Sequence, residues 1–162
     1  MAERRRALVV LGHTGTARRL LRHAGEHAAG CGVELVLLSV MPSEEFQARD
    51  WARLRIPRLD MPYTVEAAEE EGERHARKLA REVLADLDVD YEVDSRVGRE
   101  ASIVLDVAAE RDCSEVFLVG HRSGPWGHTT FDRVMEEVVD RFDGPVTVMM
   151  GEDPEAANDG GA

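Results

Sequence analysis

Residues 7–40 read ALVVLGHTGTARRLLRHAGEHAAGCGVELVLLSV, two apolar runs with a helical segment between them. Ala7 to Leu11 and Val33 to Val40 are nearly continuous in apolar side chains, the mark of strands covered on both faces of a parallel sheet. From Thr16 to Ala29 the chain places Leu20, Leu21, Ala24 and Ala28 on one helical face. The same alternation continues downstream. Val116 to Val119 and Pro145 to Met150 are further buried-strand runs, whereas Val89 to Val97 alternates apolar with acidic residues and predicts a half-exposed edge strand. Helical periodicity runs over Val65 to Leu87, Ala101 to Ala109 and Thr130 to Arg141.

This β-α-β-α-β-α-β-α-β order predicts an open, parallel, five-stranded sheet with helices on both faces, of the doubly wound flavodoxin-like kind or one of its five-strand relatives. With strands 1 and 4 taken as neighbours and 3 and 5 as the edges, the expected strand order is 3-2-1-4-5. The stretch 41–63 is too long for an ordinary connection. It predicts an insertion with a short helix over Glu44 to Leu54, ended by Pro57 and Pro62, and reads either as a lid or as a solvated surface segment. Residues 151–162 are small, acidic and poor in apolar side chains, the composition of a disordered tail. One domain over 5–150 is therefore expected.

With 32 Asp and Glu against 20 Lys and Arg, the 162-residue chain carries a net charge of −12. That charge argues against binding nucleic acid, which needs a basic stripe, and against docking on an anionic membrane. All of the basic residues but Lys78 are Arg. Abundant acid with almost no Lys is a balance halophilic proteins adopt, because salt screens self-repulsion; codon bias is the other explanation of the Arg excess. Two cysteines, Cys31 and Cys113, form no disulfide framework, and no apolar run is long enough for a membrane span, so a cytoplasmic location is expected.

In such a sheet, ligands bind beyond the carboxyl ends of the strands. Two glycine-bearing loops converge there, Gly12-His13-Thr14-Gly15-Thr16 and the segment from Gly120 to Thr130 with Arg122, Ser123 and Gly124. Both follow a strand and open a helix, where main-chain N–H groups and the helix dipole favour an anion. The same glycines and threonines also serve turn geometry and helix capping. His13 and His121, with His128 near them, could hold an anion when protonated or a metal when neutral. His23, His27 and Cys31 fall at i, i+4 and i+8 on the first helix, a spacing compatible with metal ligation but without a fourth ligand. No catalytic constellation stands out. An acyl- or phosphate-transferring enzyme using His13 or His121 would rest on fold analogy alone.

Taken in order, Ala7 to Ala28, Gly98-Arg99-Glu100-Ala101-Ser102-Ile103-Val104 through Ala108, Ser114-Glu115-Val116-Phe117-Leu118-Val119-Gly120 and Gly144-Pro145-Val146-Thr147-Val148 resemble the universal stress protein family, a UspA-type, Rossmann-like domain related to the adenine nucleotide alpha hydrolases. The resemblance implies a stress-response binding or regulatory role and a nucleotide site that includes Gly12, His13, Thr14, Val40, Gly120, Arg122, Ser123, Gly124 and Arg133. It also implies a motif that this chain departs from. ATP-binding members carry Asp where Gly12 stands. They follow the glycine equivalent to Gly120 with a second glycine where Ser123 stands and a third where Arg133 stands. Asp132 adds negative charge beside that last position. A degenerate site without ATP is therefore expected, the alternative being an ATP- or other nucleotide-binding member with an altered phosphate loop and slow hydrolysis. The last strand is apolar on both faces and would invite aggregation if left open. A homodimer through Val146, Val148 and Met150 answers that problem and agrees with the family's habit; an unknown protein partner stays open.

Overall fold

The structure, a computed structural model, describes residues 4–12, 15–54, 63–121 and 132–151. Its elements are β1 (Arg6–Leu11), α1 (Gly15–Cys31), β2 (Glu34–Pro42), α2 (Ser43–Leu54), α3 (Val65–Val83), β3 (Tyr91–Gly98), α4 (Glu100–Glu110), β4 (Cys113–His121), α5 (Arg133–Arg141) and β5 (Val146–Gly151). The strands form one sheet in the order β3-β2-β1-β4-β5, and every neighbouring pair is parallel. The architecture is that expected from the alternation of buried runs and amphipathic helices, and the strand order is the expected 3-2-1-4-5.

Each face of the sheet carries its own core. Ala7, Val9, Leu35, Leu37 and Phe117 pack under α1 and α3. Leu8, Val36, Leu38, Val116 and Leu118 pack under α4 and α5. The central strands thus bury successive residues on opposite faces, which is why their sequences show no alternation. Both cores bury their side chains almost completely, and this apolar burial, at ~25 cal/mol per Å², is the main favourable term holding the layers together.

Element ends differ from the periodic patterns for local reasons. The apolar rhythm reaches Leu87, but α3 stops at Val83. Leu84 and Leu87 stay against the core in the following turn, over Gly25 of α1, where a Cβ would collide with the Leu84 side chain. The last helix begins at Arg133 because the Asp132 carboxylate caps it, accepting the Met135 N–H at 2.8 Å. Thr130 lies outside the described residues. Gly151 belongs to β5, paired with His121, rather than to a tail; residues 152–162 lie outside the described residues. The expected helix in the insertion is present as α2, with Phe46 stacked on Tyr63 at 5.2 Å between ring centroids. Residues 55–62 are not among those described.

The two edges are treated differently. On β3, Glu92, Asp94 and Arg96 join a lattice in which Arg111 meets Glu92 at 2.5 Å and Arg96 meets Glu110 at 2.5 Å and Asp94 at 3.2 Å. Charged side chains along an edge discourage unplanned strand pairing. Among the described residues, β5 has no such fringe.

Candidate functional site

Three strands end around one cavity of about 400 Å³. Val10, Leu11 and Gly12 reach it from β1, Val40 and Pro42 from β2, and Leu118, Val119 and His121 from β4. Val104 of α4 and Val134 and Val138 of α5 complete an apolar wall. The cavity lies at the break between β1 and β4, where the chain direction of winding reverses, the place where this architecture leaves a crevice. Its size falls within the range of small-molecule sites.

The polar rim consists of Glu45, Glu100, Asp132 and His121. Each carboxylate stands at the start of a helix: Glu45 in the first turn of α2, Glu100 in that of α4, and Asp132 as the cap of α5. A helix following a strand begins at that strand's carboxyl end, so the topology itself gathers these three positions. Helix N-termini ordinarily attract anions. Here each has a carboxylate of its own, and Asp132 has already taken one of the free N–H groups of α5. Burial, with Asp132 and Glu45 adding to it and His121 opposing, pushes the Glu100 carboxyl above the usual carboxylate range. The Nδ1 atom of His121 is shielded from solvent and has no hydrogen-bond partner among the described residues. Glu45 is tethered by Arg49 at 2.8 Å, which also reaches Glu71 of α3 at 3.3 Å. Arg99 binds Glu137 at 2.5 Å and so ties the start of α4 to α5.

The residues singled out in the sequence divide three ways. Gly12 and Val40 line the cavity, with His121 beside them. A Cβ built on Gly12 meets nothing within 4 Å, and the residue is not in the left-handed region, so a larger side chain has room there. Gly120 and Arg133 are not in the wall. Gly120 is buried against α5 and β5, where a Cβ would stand 2.7 Å from Val148 Cγ1, 2.8 Å from Met150 Sδ and 3.1 Å from Met135 Sδ. Its glycine therefore serves close packing at the end of β4. Arg133 is exposed in the first turn of α5. His13, Thr14, Arg122, Ser123, Gly124 and His128 lie outside the described residues. Glu45 and Glu100 were not foreseen; the readable signal was an acid in the first turn of a helix that opens directly after a strand.

On α1, His23 and His27 lie edge-on and tilted against Phe117, with centroids at 6.3 and 5.8 Å. His27 Nε2 stands 3.0 Å from Glu115 Oε1, while Cys31 is exposed. No group of three His, Cys, Asp or Glu among the described residues is placed to hold a metal. Burial pushes the Cys113 thiol up to about 11, which keeps it protonated.

The universal stress protein family model matches residues 3–149. The chain belongs to this family. Solved structures of similar fold include a universal stress protein from Archaeoglobus fulgidus, 19% identical, with a TM-score of 0.63 over 91% of this chain and 98% of that one. A second is UspA from Lactobacillus plantarum, 17% identical, with a TM-score of 0.63 over 92% and 99%. A third is the Archaeoglobus fulgidus universal stress protein in complex with dAMP, 18% identical, with a TM-score of 0.58 over 91% and 98%. No curated protein matches the chain in sequence. No helix among the described residues is long and apolar enough to cross a membrane.

Proposed function

We propose that this universal stress protein is a cytoplasmic stress-response binding and regulatory domain, spanning residues 5–150, whose cavity does not take ATP in the family's usual way. The carrying observation is the convergence of Glu45, Glu100 and Asp132 on the rim. At an effective dielectric of about 20, a unit negative charge placed about 5 Å from a carboxylate costs about 3 kcal/mol. A helix N-terminus returns only about 0.3–1 kcal/mol. Glu45 is offset by its pair with Arg49, so Glu100 and Asp132 carry the repulsion of a polyphosphate, whereas the apolar wall of Val10, Val40, Leu118 and Val134 still suits an uncharged or weakly charged planar group.

A nucleotide-binding reading has its own support. A fold relative is solved with dAMP, and the space around Gly12 would admit the Asp of ATP-binding members. Calorimetric titration of the full chain with Mg-ATP and with adenosine separates the two. The expected result is no ATP binding at micromolar concentration, with affinity appearing when Glu100→Gln and Asp132→Asn are combined. Stoichiometric micromolar ATP binding by the unaltered protein, unimproved by those substitutions, would overturn the proposal and favour the nucleotide-binding alternative. The same reading includes a homodimer through β5. In its support, the Pro145 carbonyl accepts from Val116 N–H, which turns the main-chain groups of Val146, Val148 and Met150 toward the open edge.

A further inference from the structure

We infer that the free edge of β3 is a docking groove for an acidic, extended segment of a partner protein. A cavity of about 530 Å³ runs along this edge, lined by Arg77 and Arg81 of α3, Tyr91, Glu92 and Val93 of β3, and Arg111. Three guanidinium groups and the carboxylate of Glu92 line it, with Glu73 and Asp94 at its margin, on a molecule whose net charge is −12. They are not equally engaged. Arg111 is paired with Glu92 at 2.5 Å and with Asp94 at 3.5 Å, and Arg77 with Glu73 at 3.5 Å. Arg81 is exposed and makes no ion pair or hydrogen bond to any described residue.

The main chain supplies the second half of the groove. The Asp90 carbonyl accepts from Leu35 N–H at 2.9 Å. In a parallel ladder of this register, the main-chain groups of Glu92 and Asp94 then face β2, and those of Tyr91 and Val93 face outward. An incoming strand could bond to them, as in other strand-addition complexes. Its side chains would meet Arg77 and Arg81 on the α3 side, where the acidic residues belong, while on the other face Arg111 is already balanced by Glu92 and Asp94. An acidic sequence matches that fringe. A basic sequence, or an apolar strand such as β5, is rejected by charge or by the cost of burying guanidinium groups. Nucleic acid fits less well, because the surrounding negative charge repels a long polyphosphate while a short row of carboxylates meets only the local field.

The probe is a fluorescent peptide alternating Glu with Val, titrated with the full chain and read by anisotropy. The expected result is saturable binding that weakens with salt. Binding should be absent for the Lys-Val counterpart and lost when alternate main-chain nitrogens are methylated. Reversing Arg77→Glu and Arg81→Glu together should weaken it about tenfold. Circular dichroism of that variant should show an unchanged fold, since both residues are exposed. Equal binding of the Lys-Val peptide or of the methylated peptide overturns the inference. So does tighter binding of a single-stranded oligonucleotide, an unchanged affinity in the charge-reversed variant, or no binding of the acidic peptide at millimolar concentration.

Discussion

At Gly72 the backbone of α3 meets the sheet with no room for a side chain. A Cβ there would run into Ser95 Oγ and stand 3.1 Å from Ser39 Oγ, two of the buried polar side chains in the molecule. Alanine is the better helix former by about 1 kcal/mol, yet overpacking costs about 1–3 kcal/mol. Gly72→Ala should therefore lower stability by about 1 kcal/mol in urea unfolding, and Gly72→Ala with Ser95→Ala should recover most of it. A simple gain from Gly72→Ala would show that α3 can lift off without penalty. Glu100 gives a second prediction, on pH. Its carboxyl is raised by burial and by Asp132 and Glu45, so the folded state binds its proton more tightly than the unfolded chain. The associated stability is fully present below the unfolded value of about 4.3 and is lost as pH rises through the higher folded value. Glu100→Gln should melt above the unaltered protein at pH 7, with the difference closing below about pH 4. A gap that is constant with pH would mean that packing, not charge, sets it.

At the scale of elements, β5 makes the sharpest statement. Val148→Pro removes one main-chain donor from the open edge and none from the ladder with β4, because Val148 faces away from that ladder. Light scattering should report a dimer for the unaltered chain and a monomer for this variant, with the far-ultraviolet spectrum retained. A dimer that survives would place the contact elsewhere. The strands themselves were plain in the sequence, since a strand buried on both faces reads as an unbroken apolar run and a charged edge such as Tyr91–Gly98 alternates. Helix ends were less legible. The rhythm of Leu84 and Leu87 continues through a turn because both still fill the space over Gly25, so the period outlives the helix. The start of α5 depends on one carboxylate, Asp132, a short-range event that a periodic pattern averages away. The site was half legible. Gly12 and Val40 stand where a strand end and the family resemblance point, but Glu45 and Glu100 are 55 residues apart (100 − 45) and meet only through topology.

For the molecule as a whole, the sign and spread of charge decide how it responds to salt. The net charge is −12, and much of the cationic side is committed to exposed pairs such as Arg22 with Asp86 at 2.6 Å and Arg18 with Glu82 at 2.8 Å. Exposed pairs contribute about 0–1 kcal/mol each and weaken as salt screens them. Self-repulsion among the surplus carboxylates is screened by the same ions, and it grows with the square of the net charge. Acids also outnumber cations locally, as on the cavity rim and along the start of α3, where the single guanidinium of Arg49 is shared between Glu45 and Glu71. For a chain this acidic, relief of repulsion should exceed the loss of pairs. Thermal unfolding in potassium chloride should then show Tm rising from low salt to molar salt, by about 3 °C for each kcal/mol gained. Potassium chloride should act in the same direction as lowering the charge by Asp→Asn or Glu→Gln substitution on the rim. A Tm that falls steadily with salt would mean that the arginine pairs outweigh the repulsion, and would remove the physical case for a salt-adapted surface.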